Sequence, residues 1–235
     1  GLRVRAHQLS GAWIINTCNA VNLYYGNNPW APMYRTWYFG SHAKLGDPAI
    51  LKYPGYEKVL TEVSELPGGY TGLAANHRFE QLAIEDIVHH PGVFLLRTSN
   101  RVRCYFGFDT FTSSNLHAFG GRAAKLVPFT LLLEAATYLC LAGPAFFFLA
   151  AAPWSFWRRS EVWALAGAIV VYASPYWLSK SHPTYHYPIL GLMAVLAALA
   201  WKAGRAHPGW TWARGWVALV VLAAIQVEWV WHMAK

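Results

Sequence analysis

The sequence predicts a mainly α-helical, polytopic membrane protein, with about four C-terminal transmembrane helices after a loop-rich and helical extracytoplasmic region. Three observations predict this class. The chain changes character near Lys125, beyond which long apolar runs are broken by short connectors, the first and third rich in cations. Those runs hold almost no formal charge: Leu126–Trp154 has only Glu134, Val162–Leu178 and Tyr187–Trp201 have none, and Gly215–Met233 has only Glu228. About 20 apolar residues cross roughly 30 Å of hydrocarbon. Spans are therefore expected near 126–153, 162–178, 185–202 and 215–233. Tryptophan completes the pattern, because Trp154, Trp157, Trp163, Trp177, Trp201, Trp212, Trp216 and Trp231 fall near span ends, the usual place for interfacial aromatics.

Residues 1–54 are rich in Asn, Gly, Pro and aromatics without a sustained helical period. Turn signals at Asn27-Asn28-Pro29 and Gly46-Asp47-Pro48 predict loops with short elements, pinned by Trp30, Tyr34, Trp37, Tyr38 and Phe39. Tyr56–Leu66 is a short helix ended by Pro67-Gly68-Gly69. Leu73–His90 is a longer one, with Phe79, Leu82, Ala83 and Ile87 at helical spacing. Pro91 suits the first turn of the next helix, which either lies on a membrane surface or packs on its neighbour. Gly120-Gly121 leads into the first span. Residues 1–125 thus form the extracytoplasmic region and 126–235 the transmembrane bundle.

The formal charge of +8 comes from scattered Lys and Arg without a dense basic run, which excludes the nucleic-acid-binding class. In the second half the cations set orientation. Arg158 and Arg159 mark the first connector, and Lys202, Arg205 and Arg214 the third, whereas the middle one holds only Lys180. The positive-inside rule puts the first and third connectors in the cytoplasm, and the N-terminal region, middle connector and C-terminus outside. Gly1 is preceded by no Met and followed by no signal-peptide pattern, so further transmembrane helices are expected upstream. Three cysteines make no disulfide framework. Cys140 is read as a small core residue of a span; Cys18 and Cys104 lie outside, where they pair or stay as two buried thiols.

Several polar residues invite functional readings. Glu134 and Glu228 are costly in hydrocarbon and are expected near the outer interface, making interhelical hydrogen bonds or reaching headgroups. Pro144 and Pro175 are expected to interrupt their spans. His182 and His186 are four apart, a spacing that suits metal ligands, but Pro183 intervenes and no acidic or thiol partner is near, so no metal is assigned. Interfacial hydrogen bonding and contact with a phosphate remain open for them. Asn22, Tyr25, Asn27, Asn28 and Arg35 either line a sugar or acceptor groove or form a turn whose asparagines cap their own backbone.

Three stretches, taken in order, carry a resemblance: Asn22-Leu23-Tyr24-Tyr25-Gly26-Asn27-Asn28-Pro29, the helix-Pro-helix Ala83–Phe94, and Ser181-His182-Pro183-Thr184-Tyr185-His186-Tyr187-Pro188-Ile189-Leu190. Together they resemble the C-terminal half of polytopic membrane glycosyltransferases of GT-C type, related to dolichyl-phosphate-mannose protein mannosyltransferases and bacterial aminoarabinose transferases. The resemblance implies transfer of a sugar from a polyprenyl-phosphate-linked donor to an acceptor on the outer face of the membrane. It places the general base, a carboxylate, upstream of Gly1, so no catalytic residue is assigned here. Membrane lipid, the lipid-linked sugar and the protein's own N-terminal transmembrane part are the implied partners, with no other cofactor. A departing lipid phosphate needs cationic or hydrogen-bonding groups. Lys180, His182, Tyr185 and His186 are the donor-phosphate candidates; Asn22, Tyr25, Asn27, Asn28 and Arg35 are the acceptor or sugar candidates. One position departs from the family pattern: its arginine is Thr184 here. The competing reading is a non-catalytic membrane module that binds a glycan, lipid or partner protein.

Overall fold

A computed structural model describes residues 19–34, 53–204 and 209–234; Cys18, Arg35 and the Gly46-Asp47-Pro48 turn lie outside them. The described residues are 82% helical, with no strand among them. The chain divides into two compact units.

The first unit comprises the described part of Gly1–Arg101 together with Trp177–Ser181. Its elements are α1 (Asn19–Gly26), α2 (Pro54–Ser64), a 3-10 turn (Gly69–Thr71), α3 (Leu73–His89) and α4 (Pro91–Tyr105) as far as Arg101. Proline opens both α2 and α4, where the absent N–H costs nothing. The expected Pro-Gly-Gly stop after α2 is a left-handed turn, with φ of 83° at Gly68 and 57° at Gly69, backbone that glycine adopts without penalty. Tyr56, Leu60 and Val63 share one face of α2, and Ala75, Phe79 and Ala83 one face of α3; with Ala20 and Tyr24 they make the core. The Tyr24 ring sits 5.2 Å from Phe79 and 6.1 Å from Tyr56.

The second unit comprises Val102–Tyr176 and the described part of His182–Lys235. It contains α5 (Phe111–Phe119), α6 (Gly121–Ala124), α7 (Val127–Ala151), α8 (Trp154–Trp157), α9 (Ser160–Leu178) as far as Tyr176, a 3-10 turn (Pro183–His186), α10 (Tyr187–Gly204) and α11 (Trp212–Ala234). Among the described residues three stretches are long and apolar enough to cross a membrane: Val127–Ala151, Pro183–Gly204 and Trp212–His232, with mean hydropathy of 1.6, 1.5 and 1.5. Helix α9 has 19 residues and is not among them; Glu161, Tyr172, Ser174 and Tyr176 dilute its apolar run.

Helix α7 packs on both α10 and α11. The Thr211 amide donates to Ala151 O at 3.1 Å, joining the entry to α11 to the end of α7. There the rings of Phe148, Trp201, Trp210 and Trp212 cluster, with neighbouring centroids 4.8–6.1 Å apart. Tyr138, Ala142 and Ala145 form the buried stripe of α7. Cys140 is exposed, correcting its expected core position: two residues from Tyr138 is about 200° around a helix, so it points away from that stripe. Pro144 and Pro175 lie inside helices that continue past them, so neither ends its span. Only 22–33% of each membrane-length stretch is buried within the protein. Leu132, Val171, Val220 and Val227 are among the large apolar side chains left outside, as a surface facing lipid requires.

Candidate functional site

Polar side chains of the second unit collect at one end, around the segment that joins α4 to α5. Its backbone is held by side chains from two long helices, α7 and α11. Phe106 O accepts from Tyr138 Oη and from Gln226 Nε2, each at 2.9 Å, while Gln226 Oε1 accepts from the Phe108 amide at 2.9 Å. Tyr105 Oη donates to Tyr185 O at 3.1 Å. At Gly107 a Cβ would lie 3.0 Å from Cγ of Trp229, so the segment passes close against that indole. Arg103 forms a two-pronged pair with Glu228, at 2.7 and 3.0 Å.

Asp109 is almost fully buried. Its Oδ1 accepts from the Phe111 amide and from Thr184 Oγ1, both at 3.2 Å. Thr184 Oγ1 is in turn 2.6 Å from His182 Nδ1, and the Thr184 amide donates to that nitrogen at 3.2 Å. A hydroxyl has one proton. With Nδ1 accepting from the amide, the hydroxyl proton goes either to Nδ1 or to Asp109; a proton on Nδ1 would displace the amide bond and leave the hydroxyl to Asp109. The protonation of half-exposed His182 is thereby coupled to a buried carboxylate through an exposed threonine.

His186 is completely buried. Its Nδ1 lies 2.8 Å from Tyr105 O and must carry the proton to bond that carbonyl. In the neutral ring Nε2 is then an acceptor, buried and without a hydrogen-bond partner among the described residues, beside the Tyr138 ring at 4.6 Å. Glu134, one turn beyond Thr130 on α7, caps α5: Oε1 accepts from the Thr112 amide at 2.8 Å and Oε2 from the Ser113 hydroxyl. Of the two outcomes expected for the glutamates, interhelical hydrogen bonding and headgroup contact, both make the first.

In the first unit the motif Gly26-Asn27-Asn28 has a different use. Asn28 is fully buried, and its Nδ2 donates to Tyr24 O at 2.7 Å while Oδ1 accepts from the Trp30 amide at 2.9 Å, ending α1. Asn27 Nδ2 donates to Leu23 O at 2.9 Å and to Leu178 O at 2.8 Å. A Cβ on Gly26 would fall 1.6 Å from Ser179 O, so only glycine admits the Trp177–Ser181 segment here. Arg101 holds the same contact. It is 2% exposed and donates from Nε to Trp177 O (2.8 Å), from Nη1 to Gly26 O and Ser179 O (both 2.9 Å), and from Nη2 to Asn27 Oδ1 (3.1 Å) and Thr98 Oγ1 (3.0 Å). All these acceptors are neutral. Burial pushes the guanidinium down to about 9, so it remains cationic at neutral pH. Lys180 Nζ lies 6.0 Å over the Tyr25 ring, and burial lowers the pKa of that ammonium too.

Of the donor-phosphate candidates, the second unit brings together His182, Tyr185 and His186, the first two beside Tyr176 and Trp229; Lys180 belongs to the first unit. Of the acceptor candidates, Asn27 and Asn28 use their amides on backbone, Asn22 and Tyr25 are half-buried on α1, and Arg35 is outside the described residues. Sequence reasoning missed Asp109, Arg101 and Gln226. Asp109-Thr110 before Phe111 is a helix-start signal, and Gln226 is the single amide in an apolar run, which marks interhelical bonding. Nothing in the sequence distinguishes Arg101 from Arg97 or Arg103. The fold defines the class: a helical protein with membrane-length apolar helices and a polar cluster at one end of them. The chain matches no known family, curated protein or solved structure.

Proposed function

We propose that this chain is the membrane-embedded C-terminal portion of a polyprenyl-phosphate-dependent glycosyltransferase, and that the polar end of its second unit receives the phosphate of the lipid-linked donor. One observation carries the reading: His182, Thr184 and Asp109 form a hydrogen-bonded chain, with His186 held separately on Tyr105 O, at the end of helices apolar enough to cross a membrane. A lipid phosphate has its tail in hydrocarbon and its charge at that boundary. His182, once protonated at Nδ1 with loss of the Thr184 amide bond, supplies a cation near Asp109 where the resembled family has arginine.

In this reading α9 is a fourth span, the connectors with Arg158–Arg159 and with Lys202 face the cytoplasm, and the polar cluster faces the outer side of a cell membrane. The acceptor hydroxyl must lose a proton as it attacks the anomeric carbon, and the resemblance assigns that base to a carboxylate preceding Gly1. The carboxylates at this end are otherwise engaged, Asp109 and Glu134 in hydrogen bonds and Glu228 with Arg103. That engagement equally suits the second reading, a module that binds lipid phosphate without turnover.

The test is retention of undecaprenyl phosphate against undecaprenol by the chain reconstituted in phosphatidylcholine nanodiscs. Preferential retention of the phosphate, weakened about tenfold in His182→Ala, is expected; loss of one charge-assisted hydrogen bond is about that large. Equal retention of phosphate and alcohol contradicts both readings. Sugar transfer by the chain joined to its upstream segment then separates enzyme from binding module.

A further inference from the structure

We propose that the α5–α6 elbow with the residue that follows it, Phe111–Lys125, is a lipid-headgroup contact that seats its phenylalanines at the membrane surface and its cations on anionic lipid. The proposal is independent of the glycosyltransferase reading.

Depth comes first. Helix α7 has 25 residues, about 37 Å at 1.5 Å per residue, which exceeds roughly 30 Å of hydrocarbon. Counting about 20 residues back from Ala151 puts the boundary near Leu132, within a turn of Glu134. Glu134 holds the start of α5 through Thr112 and Ser113, and Thr130 Oγ1 adds a second tie to Ser113 at 3.0 Å. The chain re-enters α7 at Val127, about 10 Å further along its axis. The elbow is thus anchored at both ends of a layer comparable in thickness with the headgroup region.

Chemistry agrees with that depth. Ser113 is the one residue of α5 buried against the unit, whereas Phe111 and Phe119 are 66% and 81% exposed. Leu126 and Phe129, at the start of α7, are exposed as well. Gly120 and Gly121, with φ of 67° and 55°, turn the chain between them. Arg122 and Lys125 are exposed on this turn and form no ion pair among the described residues. Apolar rings beside unpaired cations, at the edge of a spanning helix, fit an interfacial element on anionic headgroups better than water alone or a dry protein contact.

The experiment uses the full chain in nanodiscs of phosphatidylcholine with or without 30% phosphatidylglycerol. A Phe119→Cys variant, with Cys18 and Cys140 replaced by Ser, carries an environment-sensitive NBD label. The label is expected to be quenched by lipid bearing a nitroxide near its headgroup and shielded from aqueous iodide. In a separate Arg122→Gln/Lys125→Gln variant, phosphatidylglycerol retained through mild detergent extraction should fall about fivefold for each cation removed. Ready quenching by iodide would mean that the elbow faces water. Shielding without lipid quenching would mean that a protein covers it. Unchanged phosphatidylglycerol retention would mean that the cations touch no headgroup. Each of these three results overturns the proposal.

Discussion

Gly26 and Arg101 show how much of the first unit turns on single side chains. Gly26→Ala forces a methyl group into Ser179 O and should lower stability by about 2–3 kcal/mol, as overpacking does. Gly92, with nothing within 4 Å of its Cβ position, is the control; its alanine variant should be neutral or stabilising by up to about 1 kcal/mol. Thermal unfolding in detergent measures both, and equal effects would remove the close-approach explanation. Arg101→Lys keeps a charge but has three donors where the guanidinium makes five bonds, leaving buried carbonyls unanswered. A cost of about 2 kcal/mol or more is expected, read in the same unfolding assay. The Asn-Asn-Pro turn was legible because asparagine bonds its neighbouring backbone. The arginine was not: burial of one cation among several on a helix is decided by which distant carbonyls converge on it.

Among the elements, α5 rests on a cap borrowed from another helix. Its preceding residue, Thr110, makes no side-chain cap; Glu134 bonds the first-turn amide instead. Glu134→Ala should therefore raise hydrogen exchange at Thr112 roughly tenfold, the equivalent of a lost cap of about 1.4 kcal/mol, while exchange in α10 stays unchanged. Uniform acceleration through both helices would show global loosening rather than loss of a cap. Helix α7 offers a second check. Ala142→Leu should destabilise by about 1–3 kcal/mol because Ala142 is fully buried. Cys140→Leu, on the exposed face, should stay within about 0.5 kcal/mol. The membrane-length helices were legible from length and missing charge to within a few residues at each end. Helix α5 was not, because its nine residues are mostly polar or small and its cap lies 22 positions away. The face of α7 holding Cys140 was equally hidden, since a run apolar all round has no period to orient it.

At the scale of the molecule, composition announces helices made for hydrocarbon, and the polar groups at one end of them are what distinguish this bundle from a plain anchor. Those groups were only half visible in the sequence. His182 and His186 stood out by spacing, yet His186 turned inward to Tyr105 O, and Asp109, the carboxylate that gives His182 its partner through Thr184, carried no motif of its own. The most direct test is photo-crosslinking with undecaprenyl phosphate bearing a diazirine next to its phosphate, on the reconstituted chain, with adducts mapped by peptide mass spectrometry. Adducts concentrated on Ser181–Tyr187 and Tyr105–Ser113, and displaced by unlabelled undecaprenyl phosphate, are expected. Adducts spread along the lipid-facing side of Val127–Ala151, or the same pattern with the undecaprenol analogue, would show that the polar end recognises no phosphate.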